Sequence, residues 1–466
     1  MRGIYSSVTD MRRKVFTEVA RLAYEGGDYS RMEDLPYKIC PGDVAAHRES
    51  IFLERAIVEE RLRLAMGLPL RSVSEHAPVS KGVNESAIAE KYYDPPLINI
   101  ISFACNACPT LHYHVTDVCQ GCFENPCKEV CPKGAISIRH GKSQIDNEKC
   151  IKCGRCKDVC PYHAILKVER PCARACGMDA IGSDEHGRAK IDYDKCVSCG
   201  MCLVNCPFGA IADKGQIFQL IHAIKTGKRV VAIVAPAFYG QFGAKLTPEK
   251  LTYAMRQLGF SDVVEVAVGA DLCTVEEAKD FIDNVPDKLD FLATSCCPAW
   301  SVMAKKLEAS RRTIRSHVDF VLTFEELMGM FDAKEVDIEN IPDSEAVPLD
   351  KGTGAGRGFA VSGGVANAVA AEIKRLEPDR DVKIASAQGL HECKKLLQLA
   401  RAGKYNGYLL EGMGCPGGCV AGAGTMCAVN KAAIAIDRYK KQADKQLASE
   451  TEYAADLDVL VKDDLD

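Results

Sequence analysis

Cysteine spacing constrains this chain more than any other feature of its sequence. Of its 24 cysteines, 16 lie between Cys105 and Cys206, and most are two or three residues apart. A secreted disulfide scaffold would be shorter and would spread its cysteines along the chain. Thiolates this close together suit convergence on metal centres, so we predict a reducing, cytoplasmic compartment in which these cysteines are ligands.

A short phrase repeats four times in this region: two cysteines separated by three residues, then Pro or Gly, two residues, and Ala-Ile. Three copies follow a nearby CxxC pair, whereas the third copy has none and leaves only Cys105 and Cys108 unclaimed. The four copies begin at Cys127, Cys156, Cys172 and Cys202.

The run over residues 150–160 has the spacing of bacterial ferredoxins, CxxCxxCxxxC followed by Pro. The same run recurs over 196–206, and the run over 119–131 has a wider gap before its third cysteine. Zinc fingers would not carry the trailing Pro and Ala-Ile turn. The pattern predicts at least two 4Fe–4S clusters, and the 16 cysteines suffice for four. The predicted ligands are Cys105, Cys108, Cys119, Cys122, Cys127, Cys131, Cys150, Cys153, Cys156, Cys160, Cys172, Cys176, Cys196, Cys199, Cys202 and Cys206.

The fourth cysteine of such a run binds the other cluster in two-cluster ferredoxins. The simplest pairing therefore joins Cys160 to the first three cysteines of the 119–131 run, and Cys131 to the first three of the 150–160 run. The last two repeats pair likewise, with Cys105 and Cys108 completing the copy that lacks a head. Alternatively, the second and fourth runs pair with each other. In either case a row of clusters indicates electron transfer between a redox partner and a redox centre.

From about residue 213 onward, the hydrophobic pattern becomes α/β. Thr247-Pro248 opens a helix that closes at Gly259, and Thr274 to Glu277 has the pattern of a capping box for the next helix. The glycine-rich segment 351–363 is interpreted as a turn before a helix, because its spacing is not that of a dinucleotide-binding loop. Buried strands are predicted over 230–234, 263–268, 289–293, 382–387 and 408–410.

These patterns predict an α+β and α/β multidomain protein. Its expected parts are a helical N-terminal cap, a ferredoxin-like multi-cluster domain, an α/β catalytic domain and a polar C-terminal tail. Their predicted bounds are 1–100, 101–212, 213–437 and 438–466.

Composition excludes two classes of partner. The chain has 59 Lys and Arg against 64 Asp and Glu, a formal charge of −5, so no basic excess attracts nucleic acid. The N-terminal segment lacks the apolar stretch of a signal peptide, and the longest apolar run, around 230–239, is far too short to span a bilayer. We therefore expect neither nucleic acid nor a membrane as a partner.

Two cysteine phrases in the α/β region have the features of a redox centre. TSCCPAW follows one predicted strand, and EGMGCPGGC follows another. The adjacent Cys296 and Cys297 cannot both point easily at one metal, so we expect them to have different roles. Cys415 and Cys419 have the spacing of one helical turn and could share a ligand set, while the glycines between them allow close approach of a bulky cofactor.

These two phrases resemble the signature of the iron-only, or FeFe, hydrogenases, TSCCPxW and ExxxCxxGC behind a ferredoxin-like relay. The resemblance covers about residues 101–437, and the form of the last motif is similar to that of the group B branch. It implies that Cys297, Cys415 and Cys419 bind the H-cluster, a 4Fe–4S cluster joined to a diiron site that carries CO and CN ligands.

The resemblance also implies a proton route and a set of partners. Cys296 would pass protons to the diiron site, Glu277 and Asp280 match acidic residues of the family's proton path, and Met413 would pack against the cluster. The alternative for Glu277 is its capping-box role, and for Asp280 a solvated helix face. The implied reaction is reversible conversion of protons and electrons to H2, with a ferredoxin-like low-potential donor and dedicated maturation proteins.

One departure from the family pattern concerns its middle motif, a Pro-Cys followed three residues on by Lys. Here TSCCPAWSVMAKKLEA continues directly to SRRTIRSHVDF, and only 118 residues separate Cys297 from Cys415. The truncation has three explanations: a natural short variant, an engineered or mis-assembled deletion, or a degenerate homologue. A fourth ligand would then come from Cys273, Cys393 or Cys427. The alternative function is an inactive electron-transfer or iron–sulfur assembly protein with the same fold.

Overall fold

The computed structural model describes residues 5–90, 95–301 and 318–457. Its first part is helical, and Ser6 caps the first helix by accepting a hydrogen bond from the Thr9 backbone N–H at 3.3 Å. The apolar face of that helix, which includes Val15 and Val19, is buried in the largest core of the chain. The helices are α1 (Ser7–Glu25), α2 (Leu35–Ile39), α3 (Ile51–Ala65) and α4 (Val83–Ser86).

The cysteine-rich region consists of two small antiparallel modules, one inserted into the other. The inserted module, residues 109–168, pairs β2 with β5 and β3 with β4. The host module, residues 98–108 and 169–213, pairs β1 with β8 and β6 with β7. The strands are β1 (Ile98–Ile100), β2 (His112–Val115), β3 (Ile136–Arg139), β4 (Lys142–Ile145), β5 (Ile165–Val168), β6 (Ile181–Ser183), β7 (Ala189–Ile191) and β8 (Ile211–Asp213).

Each module also contains two one-turn helices that carry cysteines. They are α5 (Pro126–Glu129), α6 (Arg155–Asp158), α7 (Pro171–Arg174) and α8 (Met201–Val204). The insertion explains the repeat that lacks a CxxC head, because the head at Cys105 and Cys108 belongs to the host module and precedes the inserted one. Since β1 begins at Ile98 and β8 ends at Asp213, the host module extends beyond the expected bounds of 101–212 at both ends.

The α/β region contains two parallel sheets in its described part. One pairs β9 (Val231–Val234) with β10 (Asp262–Glu265). The other has the order β11 (Phe291–Thr294), β13 (Tyr408–Met413), β12 (Lys383–Gln388). The helices are α9 (Ile217–Lys225), α10 (Pro248–Leu258), α11 (Val266–Asn284), α12 (Phe324–Ala333), α13 (Gly354–Arg357), α14 (Gly364–Leu376), α15 (Leu390–Arg401) and α16 (Val429–Lys441). The junction at which the middle motif is missing falls within 302–317, outside the described residues.

The sequence-based helix from Thr247-Pro248 to Gly259 is confirmed, with the Thr247 side chain at the N-cap and Gly259 at a left-handed C-cap. The capping box from Thr274 to Glu277 is wrong. Helix α11 already begins at Val266, so the strand predicted over 263–268 ends at Glu265. Thr274 lies inside the helix, where its hydroxyl donates to the carbonyl of Ala270 at 2.8 Å.

The C-terminal segment, from α16 onward, packs against the rest of the α/β region. Helix α16 runs through residue 438, where the sequence predicts a polar tail to begin, and Tyr439 and Ala448 are buried. In residues 5–90, 95–301 and 318–457, no helix combines the length and apolar character needed to cross a membrane.

Candidate iron–sulfur centres and active site

The structure brings the 16 cysteines of the two modules together in four groups of four, and each group lines one cavity. Groups A and B belong to the inserted module, and groups C and D to the host module. Group A is Cys119, Cys122, Cys127 and Cys160; group B is Cys131, Cys150, Cys153 and Cys156; group C is Cys105, Cys108, Cys172 and Cys206; group D is Cys176, Cys196, Cys199 and Cys202.

This grouping follows the simplest pairing of the sequence, in which the fourth cysteine of each run crosses to the other group. All 24 cysteines are free thiols. No three His, Cys, Asp or Glu side chains of the described residues are placed to hold a single metal ion. Four thiols around a cavity are the donor set of a 4Fe–4S cluster, so the residues present fit that group.

The Ala-Ile turn after each fourth cysteine has a physical reason. In every copy the backbone N–H of the alanine points at the sulfur of the cysteine four residues earlier, at 3.3–3.4 Å. Hydrogen bonds to cluster sulfurs are one of the protein's means of setting reduction potential. The four pairs are Ala135 with Cys131, Ala164 with Cys160, Ala180 with Cys176, and Ala210 with Cys206.

Group D lies against the α/β region. Val197, between two cysteines of this group, packs in one apolar cluster with Trp300, Leu390 and Cys297. Burial raises the pKa of the Cys199 thiol to about 11. The host module therefore places one cysteine group directly beside the C-terminal cysteines.

The C-terminal cysteines follow the carboxyl ends of two neighbouring parallel strands, β11 and β13, where ligands bind in open α/β sheets. Cys296 and Cys297 come two and three residues after β11 ends, and Cys415 and Cys419 follow β13. The thiols of Cys296 and Cys419 are hydrogen-bonded to each other, which lowers the pKa of Cys296 and raises that of Cys419. The structure thus brings together the two phrases that the sequence singles out.

The glycines of the second phrase permit this approach. A Cβ atom on Gly414 would lie 2.9 Å from the sulfur of Cys297, and one on Gly412 would collide with the Trp300 indole. The segment from Cys415 to Cys419 is a loop rather than the helical turn that the sequence indicated, because Gly417 and Gly418 have φ of 102° and 91°.

The predicted acidic residues lie on α11, beside β11. The hydroxyl of Thr294 donates to the carboxylate of Glu277, whose burial raises its pKa. Asp280 is exposed one turn further along the helix. Sequence reasoning missed Thr294, although its position at the start of the TSCC phrase marks it. Met413, at the end of β13, is buried.

Two of the three candidate fourth ligands border this site. Cys393 is fully buried, packs with Cys297, and its thiol donates to the carbonyls of Ala387 and Met413 at 3.4 and 3.5 Å. Cys427 and Cys419 pack against the same apolar cluster. Cys273 is exposed on α11.

Comparison with known proteins indicates the families to which the α/β region and the cysteine-rich modules are similar. The sequence profile of the iron-only hydrogenase large subunit, C-terminal domain, matches residues 228–304 and 301–423. Two profiles of 4Fe–4S binding domains match residues 143–166 and 188–211. The chain is FeFe hydrogenase-like. Its cysteine-rich modules are accordingly iron–sulfur domains.

Two curated relatives are hydrogenases. The chain is 27% identical over 305 residues to the NADP-reducing hydrogenase subunit HndD of Solidesulfovibrio fructosivorans, covering 45% of this chain and 52% of the relative. It is 26% identical over 380 residues to iron hydrogenase 1 of Clostridium pasteurianum, covering 62% and 66%. The matched part thus spans about half to two thirds of these relatives.

Among solved structures, a single-residue variant of the [FeFe]-hydrogenase HydA1 from Chlamydomonas reinhardtii is similar at 19% identity with a TM-score of 0.39. The match covers 50% of this FeFe hydrogenase-like chain and 89% of the other.

Proposed function

We propose that this protein catalyses the reversible conversion of two protons and two electrons to H2. The observation that carries the proposal is the convergence of the TSCC and GCPGGC cysteines at one sheet edge, directly against cysteine group D. The cysteine group that would deliver electrons thus lies next to a site lined by cysteine side chains. The hydrogenase relatives support the same reaction class.

The donor set fits an iron–sulfur group held by three thiolates, those of Cys297, Cys415 and Cys419. When bound, the H-cluster supplies low-potential iron chemistry at which protons and electrons combine. The fourth thiolate, which the family takes from its middle motif, would come from Cys393 or Cys427, since both border the site. The two profile matches overlap at residues 301–304, which supports the proposal that the intervening segment is missing.

Proton movement is assigned to this chain's own side chains. The thiol of Cys296 is hydrogen-bonded to Cys419, so it can hold a proton next to the site. The Glu277 carboxylate accepts a hydrogen bond from the hydroxyl of Thr294, two residues before Cys296, and Asp280 is exposed on the same helix as Glu277. We assign these residues to a route that runs from Asp280 through Glu277 toward Cys296.

Electrons would reach the site through up to four 4Fe–4S clusters in groups A to D. A low-potential, ferredoxin-like carrier protein would supply them, and the similarity of residues in these modules to the electron transport protein HydN of Escherichia coli, at 45% identity over 60 residues, supports a carrier partner. Maturation proteins would install the diiron site. A cytoplasmic location and the helical cap role of the first 100 residues remain predictions.

Infrared spectroscopy tests the proposed activity directly. The full chain is produced anaerobically with the hydrogenase maturation proteins, and a matched sample is produced without them. We expect sharp CO and CN stretching bands only in the first sample, together with H2 evolution. Spectra without these bands, in protein whose 4Fe–4S clusters are intact, would contradict the proposal and indicate an electron-transfer protein with an inactive catalytic domain.

The grouping of cysteines makes a separate prediction. Replacing Cys131 and Cys150 by alanine affects group B alone, so iron content should fall by about four atoms per chain. Replacing Cys150 and Cys160, which share one sequence run, affects groups A and B and should remove about eight. Iron analysis and electron paramagnetic resonance measure both, with Cys40→Ala as the control. Equal losses from the two double variants would contradict the crossed pairing.

A further inference from the structure

The two iron–sulfur modules contain the same loop, and its backbone has the same shape in both. Residues 150–156 of the inserted module read CIKCGRC, and residues 196–202 of the host module read CVSCGMC. Lys152 and Ser198 have φ of 59° and 54°, and Gly154 and Gly200 have φ of 84° and 73°. The surroundings of one loop can therefore be compared position by position with those of the other.

In the host module, this loop is the face that contacts the α/β region. Val197 is only 8% exposed and packs against Trp300 and Leu390. Met178, from the segment that follows Cys176, packs into the same apolar cluster. Cysteine group D thus meets its neighbouring redox site through a face whose central side chain is apolar and buried.

In the inserted module, the corresponding face is open. Ile151, which corresponds to Val197, is 54% exposed, and Lys133, which corresponds to Met178, is exposed as well. Cys153 of group B is exposed, whereas the other 15 cysteines of the two modules are buried or partly buried. The position that Val197 occupies in the contact of the host module is therefore occupied in the inserted module by a solvent-exposed side chain, Ile151, next to the exposed Cys153.

The charge of this open face differs from that of the rest of the chain. Residues 109–168 contain nine Lys and Arg against six Asp and Glu, whereas the whole chain has a formal charge of −5. Lys152 and Arg155 lie in the same loop as Ile151, and Lys133 corresponds to Met178, which packs in one cluster with Val197; all three are exposed. In the part of the chain that the structure describes, no acidic side chain forms a salt bridge with these three. The face is therefore positive around an apolar centre.

We propose that the face formed by Lys133, Ile151, Lys152 and Arg155 docks a small iron–sulfur carrier protein with an acidic surface around its own cluster. This inference rests on the proposed function, because it identifies where electrons enter the chain. One electron leaves the reduced carrier and enters the cluster of group B, so the carrier is oxidised as that cluster is reduced, with no bond formed or broken. Complementary charge steers the encounter, and burial of Ile151 supplies the apolar centre.

The test measures electron entry rather than H2. A purified acidic ferredoxin of the [2Fe–2S] type is reduced beforehand and mixed with the oxidised full-length protein in a stopped-flow spectrometer. Its spectrum differs from that of 4Fe–4S clusters, so oxidation of the carrier is followed directly. The variant is Lys133→Glu/Lys152→Glu, and the charge-matched control is Lys128→Glu/Arg139→Glu, which changes exposed residues of the same module outside this face.

At low ionic strength we expect the Lys133→Glu/Lys152→Glu variant to have a second-order rate constant about 10-fold or more below that of the unchanged protein. Added salt should remove most of this difference between the two rate constants. The control variant should stay within about twofold of the unchanged protein. Reduction by a small uncharged reductant should be the same in all three, which shows that the clusters are intact. Ile151→Ser should also slow electron entry, with the salt dependence unchanged.

Three results would overturn the docking proposal: an unchanged rate in the Lys133→Glu/Lys152→Glu variant, equal slowing in the control, or a dimer in sedimentation that only this variant dissociates. The last result would assign the face to a second copy of the chain. A different result is possible: electron entry depends on this face, but the protein makes no H2 from any donor. That result would refute the proposed activity and support the docking site.

Discussion

Replacing Cys296 with serine is expected to lower H2 evolution by about 10²–10⁴-fold, the range typical of a lost proton-transfer group. Serine keeps the size of the side chain and its hydrogen bond to Cys419, but it holds its proton far more tightly than a thiol, whose ordinary pKa is about 8.5. The 4Fe–4S content should remain unchanged, because Cys296 is not among the proposed ligands. H2 evolution with a reduced viologen, iron analysis and infrared spectra measure the three quantities.

Cys40→Ser provides the control for this experiment, since Cys40 lies in the N-terminal helical segment outside all five cysteine sites. It should leave H2 evolution within about twofold of the unchanged protein. A Cys296→Ser variant that keeps full activity, or one that loses the CO and CN bands together with its activity, would contradict the proton-transfer role. The second result would make Cys296 a positioning residue or a ligand.

The grouping of the 16 cysteines could be predicted from the sequence because local spacing largely dictates it. A CxxCxxC loop brings three sulfurs together through backbone geometry alone, and the crossing of the fourth follows from the two-cluster repeat. Even the insertion of one module into the other left a sequence signal, the repeat at Cys172 without its own head. The positions of the strands in the α/β region were also readable from short apolar runs. Their predicted burial was wrong for β12, whose residues are exposed or only partly buried, and for β9, in which exposed and buried residues alternate.

The surroundings of Glu277 could not be predicted in the same way. Thr274 and Glu277 match a capping box, yet both lie inside α11 because the helix begins eight residues earlier, at Val266. The local pattern was outweighed by tertiary contact: Glu277 is held by Thr294 of β11, a strand whose neighbour β13 comes more than 100 residues later in the chain. Similarly, the loop between Cys415 and Cys419 follows its glycines rather than their helical spacing.

The second large effect concerns stability and a buried ion pair in the α/β region. Arg357 of α13 pairs with Glu265 at the end of β10 through two hydrogen bonds of 3.0 and 3.1 Å, and the two side chains are 4% and 1% exposed. The Tyr439 hydroxyl also donates to Glu265, and the Arg357 guanidinium lies 3.9 Å from the centre of the Tyr439 ring. The pair therefore joins β10, α13 and α16.

Replacing Arg357 with methionine is expected to lower the free energy of unfolding by about 3–5 kcal/mol, because the buried Glu265 carboxylate loses its only cationic partner among the described residues. Trp300, the single tryptophan of the chain, lies in the α/β region against Val197 of the host module, so its fluorescence during urea denaturation reports on unfolding of this part of the chain. Lys395→Met breaks an exposed salt bridge, Lys395 with Glu392 at 2.9 Å, and should cost less than about 1 kcal/mol.

A double variant separates the two contributions to this effect. Glu265→Gln combined with Arg357→Met removes the charge that Arg357→Met alone leaves buried, so it should recover a substantial part of the lost stability. Equal destabilisation by the double and the single variant would show that lost packing over the Tyr439 ring, rather than an unpaired carboxylate, is the cause. A single variant as stable as Lys395→Met would contradict a structural role for the pair. Since this pair joins β10, α13 and α16, its loss should also loosen the packing of the glycine-rich segment and of the last helix on the α/β region.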